Sequence, residues 1–264
     1  MSNDEKYLAT IRQALEICKH YKPKFGQGSK SGFSLKTFQQ LYQSDPFYTW
    51  FGLNSPLVYA AHKAAGGITS VYRQIGIGVQ EVFRLILQDT LGQTKEESRW
   101  CYSVPTTQGK SRMLSLDGRI TLPTVRVPDR FQSLADWIRK AKKQVGLIGK
   151  AAKDLEGVVF ECRQGYKSKD AKRQNADVAN AANAYARNYL PCMMLFSLQI
   201  DSDIAERYVR AQWLMLTGSL EGTSLDSTYI FFREVLNYDL ANFFKRNSRT
   251  IRKDVENVLK ELLR

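Results

Sequence analysis

Apolar side chains recur along this chain with two different periods, and the change of period divides it. Over residues 4–20, Leu8, Ile11, Leu15 and Cys18 fall three or four apart, the spacing that gathers apolar groups on one helical face. A polar loop follows, GQGSKSG at 26–32, and Ser34 to Tyr42 and Pro56 to Ala65 read as two further helices. Gly66-Gly67 is expected to break the chain. Residues 68–91 then carry Val71, Ile75, Val79, Val82, Phe83, Ile86 and Leu87 on one face of a helix that Gly92 stops. Gly76-Ile77-Gly78, inside that helix, lacks the third glycine, the Lys-Ser/Thr and the preceding strand of a nucleotide loop. It reads instead as close packing or a break between two shorter helices.

From about residue 98 the pattern alternates with period two. Trp100 to Val104, Arg112 to Leu116 and Ile120 to Val127 predict strands, with TTQGK at 106–110 as a hairpin tip. Residues 133–145 return to helix, Val158-Val159-Phe160 is a buried strand, and 170–188 is an Ala- and Asn-rich helix. Cys192 to Ile200 predicts a strand, Ser202 to Ala211 a helix and Trp213 to Thr217 a strand. The chain is helical from about 226, with Ile251, Val255, Val258, Leu259 and Leu262 as a last apolar stripe. Helix, then meander, then strand–helix–strand describes an α/β (α+β) protein, a mixed sheet flanked by helices. The expected organisation is a helical N-terminal region over 1–66 and a core over 67–264, in one continuous domain. Trp100, Trp137 and Trp213 are expected in the core.

Charge narrows the partners. Thirty-nine Lys and Arg against 26 Asp and Glu give a formal net charge of +13. Such a surplus favours a polyanion, because each neutralised phosphate releases condensed counterions. The four cysteines (Cys18, Cys101, Cys162, Cys192) form no CxxC pair, and Cys162 and Cys192 sit in apolar runs. His20 and His62 are the only histidines, so neither a Cys/His zinc site nor a Ser-His-Asp hydrolase is expected. The polar start MSNDEKYLATIRQ is unlike a signal peptide, and no apolar run approaches membrane-span length. These features lead to the expectation of a cytoplasmic protein with reduced thiols and no membrane partner.

Two segments carry candidate chemistry. Asp117 lies in the otherwise apolar Leu114-Ser-Leu-Asp117-Gly-Arg-Ile120, and Glu161 ends the buried run Val158 to Phe160, with Arg163 two residues later on the same strand face. An ionised carboxylate in a buried strand is costly unless something compensates it. A divalent cation shared by two such carboxylates is one solution. Magnesium accepts one or two carboxylates with waters and phosphate oxygens, and can activate water for phosphodiester hydrolysis.

An aspartate in a strand, then an apolar run ending in Glu-x-cation, resembles the PD-(D/E)xK nuclease superfamily, and within it the type II restriction endonucleases. The likeness covers roughly residues 75–217. It implies a restriction-endonuclease-like mixed sheet presenting Asp117 as first acid, Glu161 as second and Arg163 in the place of the usual lysine. It also implies Mg2+ as cofactor with no small-molecule cofactor, double-stranded DNA as substrate, sequence-specific cleavage and a homodimer, with the N-terminal region as a candidate dimer or DNA-clamp contact. Three features depart from the pattern. No proline precedes Asp117, whereas Pro128-Asp129 is a literal Pro-Asp in a charged turn, so Asp129 stands as an alternative first acid. Arginine cannot lose its proton and so cannot act as a base, which leaves Lys167 as the alternative ammonium. The long separation of the two acids requires a helical excursion between their strands. Glu81, on the helix before the sheet, is a possible third metal ligand or a surface carboxylate paired with Arg84. Beyond Glu161, QGYKSKDAKRQN at 164–175 offers Lys169, Lys172 and Arg173 for phosphates and Gln174 and Asn175 for base edges, or a solvated charged loop. The basic runs at 139–143 and 245–246 read as phosphate contacts or as wet helix faces. Two alternatives to the restriction enzyme stay open: a structure-specific repair or recombination nuclease, and an inactive nucleic-acid-binding protein with a nuclease-like fold.

Overall fold

A computed structural model describes residues 2–25, 31–105, 110–147, 154–165 and 171–263. The helices are α1 (Asn3–Glu16), α2 (Leu35–Gln43), α3 (Pro46–Trp50), α4 (Pro56–Leu91), α5 (Pro128–Gln144), α6 (Ala171–Tyr185), α7 (Ser202–Arg210), α8 (Thr228–Glu234) and α9 (Leu240–Leu263). The strands are β1 (Trp100–Pro105), β2 (Ser111–Leu116), β3 (Gly118–Thr121), β4 (Gly157–Arg163), β5 (Tyr189–Leu195) and β6 (Leu214–Leu216). The chain forms two compact units, one of residues 1–79 and 246–264, the other of 80–245.

The first unit is helical. Ser2 opens α1 with a reciprocal capping box to Glu5, satisfying two backbone donors that the first turn leaves unpaired. Ile11, Leu15 and Cys18 are buried, as their spacing predicts, whereas Leu8 is half-buried and its neighbour Tyr7 is buried instead; Val258 and Leu262 of α9 are buried in the same unit. Arg12 pairs with Asp254 at 2.7 Å and Arg246 with Asp4 at 2.5 Å. The expected break at Gly66-Gly67 does not occur: α4 runs through both glycines. A Cβ on Gly66 would stand 1.9 Å from the Tyr21 hydroxyl, and one on Gly67 would stand 2.8 Å from Leu262. Glycine is there because neighbours come close, not because the helix ends.

The second unit holds two sheets. In one, β1 and β2 pair antiparallel, Trp100 opposite Leu116; the other is four-stranded in the order β3-β4-β5-β6. Its β3 runs antiparallel to β4, while β4, β5 and β6 are mutually parallel, with α6 and α7 as the connections. The α/β expectation holds at this level, a mixed sheet with helices. Every residue of β5 and all of β4 but Arg163 are buried, as expected for strands covered on both faces. Alternation along β4 sorts the core. Val159 joins Trp100, Met193, Tyr208 and Trp213, whereas Phe160 meets Phe83 edge-on at 5.1 Å and lies 5.7 Å from Phe231. Trp100, Trp137 and Trp213 are buried, and so are Cys162 and Cys192.

Several boundaries differ from the periodicity. The third strand stops at Thr121 and gives way to a 3-10 turn over Leu122–Thr124, because Pro123 cannot donate to a ladder. Pro128 and Asp129 are not a charged turn: they begin α5, Pro128 in the first turn where a missing N–H costs nothing. The fifth strand is Tyr189–Leu195 rather than 192–200, and α3 and the gap between α8 and α9 carry no periodic signal. Glycine ends α4 as expected, Gly92 taking a φ of +71°.

Candidate functional site

Asp117 is the single residue between β2 and β3, where the chain leaves one sheet and enters the other. Its amide donates to the Phe160 carbonyl at 2.8 Å, and its Oδ2 accepts from the Cys162 amide at 2.8 Å. The carboxylate therefore replaces a rung of the ladder at the end of β3, satisfying a β4 donor that no strand reaches. Cys162 is the residue between Glu161 and Arg163, so folding brings the sequence-distant Asp117 against the Glu-x-Arg segment itself. Gln80 of α4 donates to both Asp117 Oδ2 (3.1 Å) and the Cys162 carbonyl (3.0 Å). Arg84, one turn further on, donates from Nε to the Asp117 carbonyl at 2.6 Å and lies 3.8 Å from Oδ1.

Glu161 is buried and ion-paired with Arg163, the two-residue spacing placing both on one face of β4. Arg163 also reaches Asp177 of α6, Nη2 to Oδ1 at 3.6 Å, and Asp177 accepts from the Tyr208 hydroxyl at 2.6 Å. A second arginine system thus abuts the first: Arg84 with Asp117 and Glu81 from α4, Arg163 with Glu161 and Asp177 from α6. Burial, then the charges of Asp117 and Glu161, push the Cys162 thiol well above its ordinary value, so it stays protonated between them.

Glu81 pairs with Arg84 and lies 3.9 Å from Arg99. That is the surface-carboxylate reading, although Arg84 links it to Asp117. Asp129 sits in the first turn of α5, where an acid complements the helix dipole. Gln174 is buried and accepts from Arg207 of α7 at 2.8 Å, and Asn175 accepts from the other arm of the same guanidinium. Both amides are tied to α7 in this arrangement. Lys167 and Lys169 lie outside the described residues, as do the side chains of Lys172 and Arg173 at the start of α6. In the basic runs, Arg139 pairs with Asp136 and Arg246 with Asp4.

Gln80, Asp177 and Tyr208, which the sequence did not single out, complete the site with Arg84, which it named only as a pair for Glu81. Only Asp177 left a trace. It shares a buried helical face with Gln174, Ala181 and Ala184, an acid on a face otherwise without charge.

Among the described residues no group of three or more His, Cys, Asp or Glu side chains is placed to hold a metal ion. Two carboxylates flanking one peptide link are nevertheless a donor set of the hard oxygen kind that magnesium accepts, with waters and substrate oxygens completing its shell. The residues present fit that ion in chemistry, and a cation at Glu161 would have to displace Arg163. No helix among the described residues is long and apolar enough to cross a membrane. No protein-family model, curated protein or solved structure matches this chain.

Proposed function

We propose that the chain is a magnesium-dependent endonuclease acting on double-stranded DNA, a type II restriction endonuclease with a restriction-endonuclease-like core. One observation carries the reading: the Asp117 carboxylate accepts a hydrogen bond from the backbone amide of Cys162, the residue between Glu161 and Arg163. Residues selected by motif and distant in sequence meet at adjoining strands. The +13 charge supports a phosphate-rich partner.

In this reading Asp117 and Glu161 would hold the magnesium ion, which supplies an activated water and charge neutralisation at phosphorus. The chain's own residues orient the rest. Gln80 and the Cys162 amide fix Asp117 Oδ2, while Oδ1 lies 3.8 Å from Arg84. Arg163 is permanently charged, so its role is to offset the negative charge that grows on the phosphoryl oxygens, not to take a proton. Asp177, itself held by Tyr208, keeps that guanidinium in place when Glu161 changes partner. Cleavage of both strands of a symmetric site would call for two copies related by a two-fold axis.

The test is incubation of plasmid and phage DNA with the purified protein and Mg2+ or Mn2+. Discrete, reproducible fragments are expected. Asp117→Asn and Glu161→Gln should each lower the rate by more than about 100-fold, beyond what loss of an outer-sphere partner costs. Sequence-specific cutting that survives both substitutions excludes this site, and branch- or end-dependent cutting points to a repair nuclease.

A second reading has its own observation. Each acid already faces an arginine, as in a buried ion-pair network that needs no metal. A gel shift without cleavage in either metal would favour that inactive nucleic-acid-binding form.

A further inference from the structure

The second unit carries a pocket that the paired acids do not use. It has a volume of about 720 Å³ and lies between α8, the first turns of α9 and the loop after β6. That size takes a small organic ligand rather than a lone ion. The loop leaves the sheet at the carboxyl end of β6, and β4, β5 and β6 are parallel, so the pocket stands on the same edge of the sheet as Glu161 and Arg163. Ligands of open α/β sheets bind outside that edge.

The walls are fixed by the fold. The Thr228 amide donates to the Thr217 carbonyl at 2.8 Å, which closes the base of the loop. A Cβ on Gly218 would stand 2.6 Å from the Ser197 backbone, so this loop and the one after β5 pack main chain on main chain. Ser227 caps α8 by accepting from the Ile230 amide at 3.1 Å, and the Tyr229 hydroxyl donates to the Phe196 carbonyl at 2.9 Å. With its hydroxyl engaged there, Tyr229 offers the pocket its ring.

Helical spacing sorts the lining. Arg233 of α8 follows Tyr229 by four residues and Ile230 by three, and Lys245 of α9 follows Asn242 by three, so each set shares a face. Ile230 is buried and Tyr229 and Phe244 are half-buried, whereas Arg233, Asp239, Asn242 and Lys245 are exposed. The pocket is therefore apolar in its depth and, apart from Leu220 of the loop, polar at its mouth. Two rings are present for a flat body to lie against.

Charge divides the mouth. Glu234 approaches Arg233 only to 3.5 Å at Nη2, which leaves the other donors of the guanidinium, and no carboxylate among the described residues pairs with Lys245. Asp239 Oδ1 accepts from the Asn242 amide at 2.9 Å, so the start of α9 is already capped and recruits no anion. Asp239 and the Asn242 side chain instead offer an acceptor and a donor, as the edge of a base such as adenine requires. Two cations match a terminal phosphate, which carries nearly two negative charges at neutral pH, better than an internal phosphodiester with one.

We infer that this pocket binds a nucleoside 5′-monophosphate, free or as the phosphorylated end of a strand. The base lies against Tyr229 and Phe244 with its edge on Asp239 and Asn242, and the phosphate meets Arg233 and Lys245. None of these residues belongs to the site of Asp117 and Glu161, so the inference stands or falls apart from the cleavage reading.

Isothermal titration calorimetry of the full chain, at low salt and without divalent metal, tests it. The ligands are 5′-AMP, 5′-UMP, adenosine, inorganic phosphate, and an adenosine trinucleotide with and without a 5′-phosphate. 5′-AMP should bind saturably at one site per chain, and adenosine more weakly. Arg233→Ala and Lys245→Ala should each weaken 5′-AMP binding about tenfold, and Asn242→Ala should remove the preference for 5′-AMP over 5′-UMP. All three side chains are exposed, so folding is retained, which circular dichroism verifies. Tighter binding of the phosphorylated trinucleotide than of 5′-AMP supports a strand end as the source, and weaker binding supports the free nucleotide. Absence of saturable 5′-AMP binding overturns the inference. So does inorganic phosphate bound as tightly as 5′-AMP, binding unchanged by both the Arg233 and Lys245 substitutions, or a trinucleotide that needs no 5′-phosphate.

Discussion

Asp117 has two tasks that a single substitution would confuse. As an acceptor it closes the ladder on the Cys162 amide, and as a charge it is the proposed first metal ligand. Asparagine keeps an acceptor oxygen for the amide and for Gln80 while removing the charge; alanine removes both. Leaving a part-buried N–H without a partner costs about 1–3 kcal/mol, so Asp117→Ala should lower unfolding stability by that amount in urea titrations. Asp117→Asn should cost less than about 1 kcal/mol while losing cleavage as completely as the alanine variant. Equal destabilisation by the two would show that the charge, held near Arg84, matters more to the fold than the hydrogen bond. Glu161 offers no such separation, because its charge and its packing both depend on Arg163. Asp117 is therefore the better residue on which to separate function from fold.

At the scale of elements, much of the pattern was legible because it is local. The apolar stripe of α4, the buried run of β4 and the Gly92 stop are each set by neighbours within a few residues, and the structure has them where periodicity places them. What failed was decided at a distance. Gly66 and Gly67 look like a break until Tyr21 and Leu262 are seen against them, and no local rule announces such neighbours. The candidate site divides in the same way. Asp117 and Glu161 stand out in the sequence as acids in apolar runs, although Asp117 falls between two strands rather than within one, and the Glu161–Arg163 pair follows from strand alternation. The contributions of Gln80, Arg84 and Asp177 depend on helices packing across the sheet, which one sequence does not order. The connection between α4 and β1 shows how far-apart residues are clipped together. Glu97 accepts from the Thr94 amide at 2.7 Å and from both arms of Arg126 at 2.7 and 2.8 Å, and Arg126 also donates to the Gly92 carbonyl. The Arg126 hydrogen bonds, helped by the Thr94 amide, hold the Glu97 carboxyl down to about 2 from an ordinary 4.5. A depressed carboxyl contributes stability that is complete above its unfolded value and is lost as pH falls towards its folded one. Thermal melts should therefore show Glu97→Gln less stable than wild type at pH 6, with the gap closing between about 4.5 and about 2. A gap independent of pH would mean that the ion pair does not hold this connection.

Over the whole molecule, the surplus of positive charge is the property that salt reads most directly. Binding to duplex DNA should weaken, log K falling with log salt by about 0.9 for each phosphate neutralised. The cations with most to give are those not already held by acids. On α9, Arg246 is held by Asp4 and Lys260 by Glu256, while Arg249, Arg252 and Lys253 lie exposed between them. Spaced three and four apart, these three share a helical face and repel one another, a cost of a few tenths of a kcal/mol per pair that a phosphate backbone would relieve. Replacing all three by alanine should weaken binding to two unrelated duplexes alike, and reduce the salt slope by roughly 2 to 3, measured by fluorescence anisotropy without divalent metal. The cleavage pattern should keep its sequence preference, since phosphate contacts position a duplex and do not read it. An unchanged slope would place the phosphate contacts elsewhere, first on the Lys- and Arg-rich sequence at 164–175.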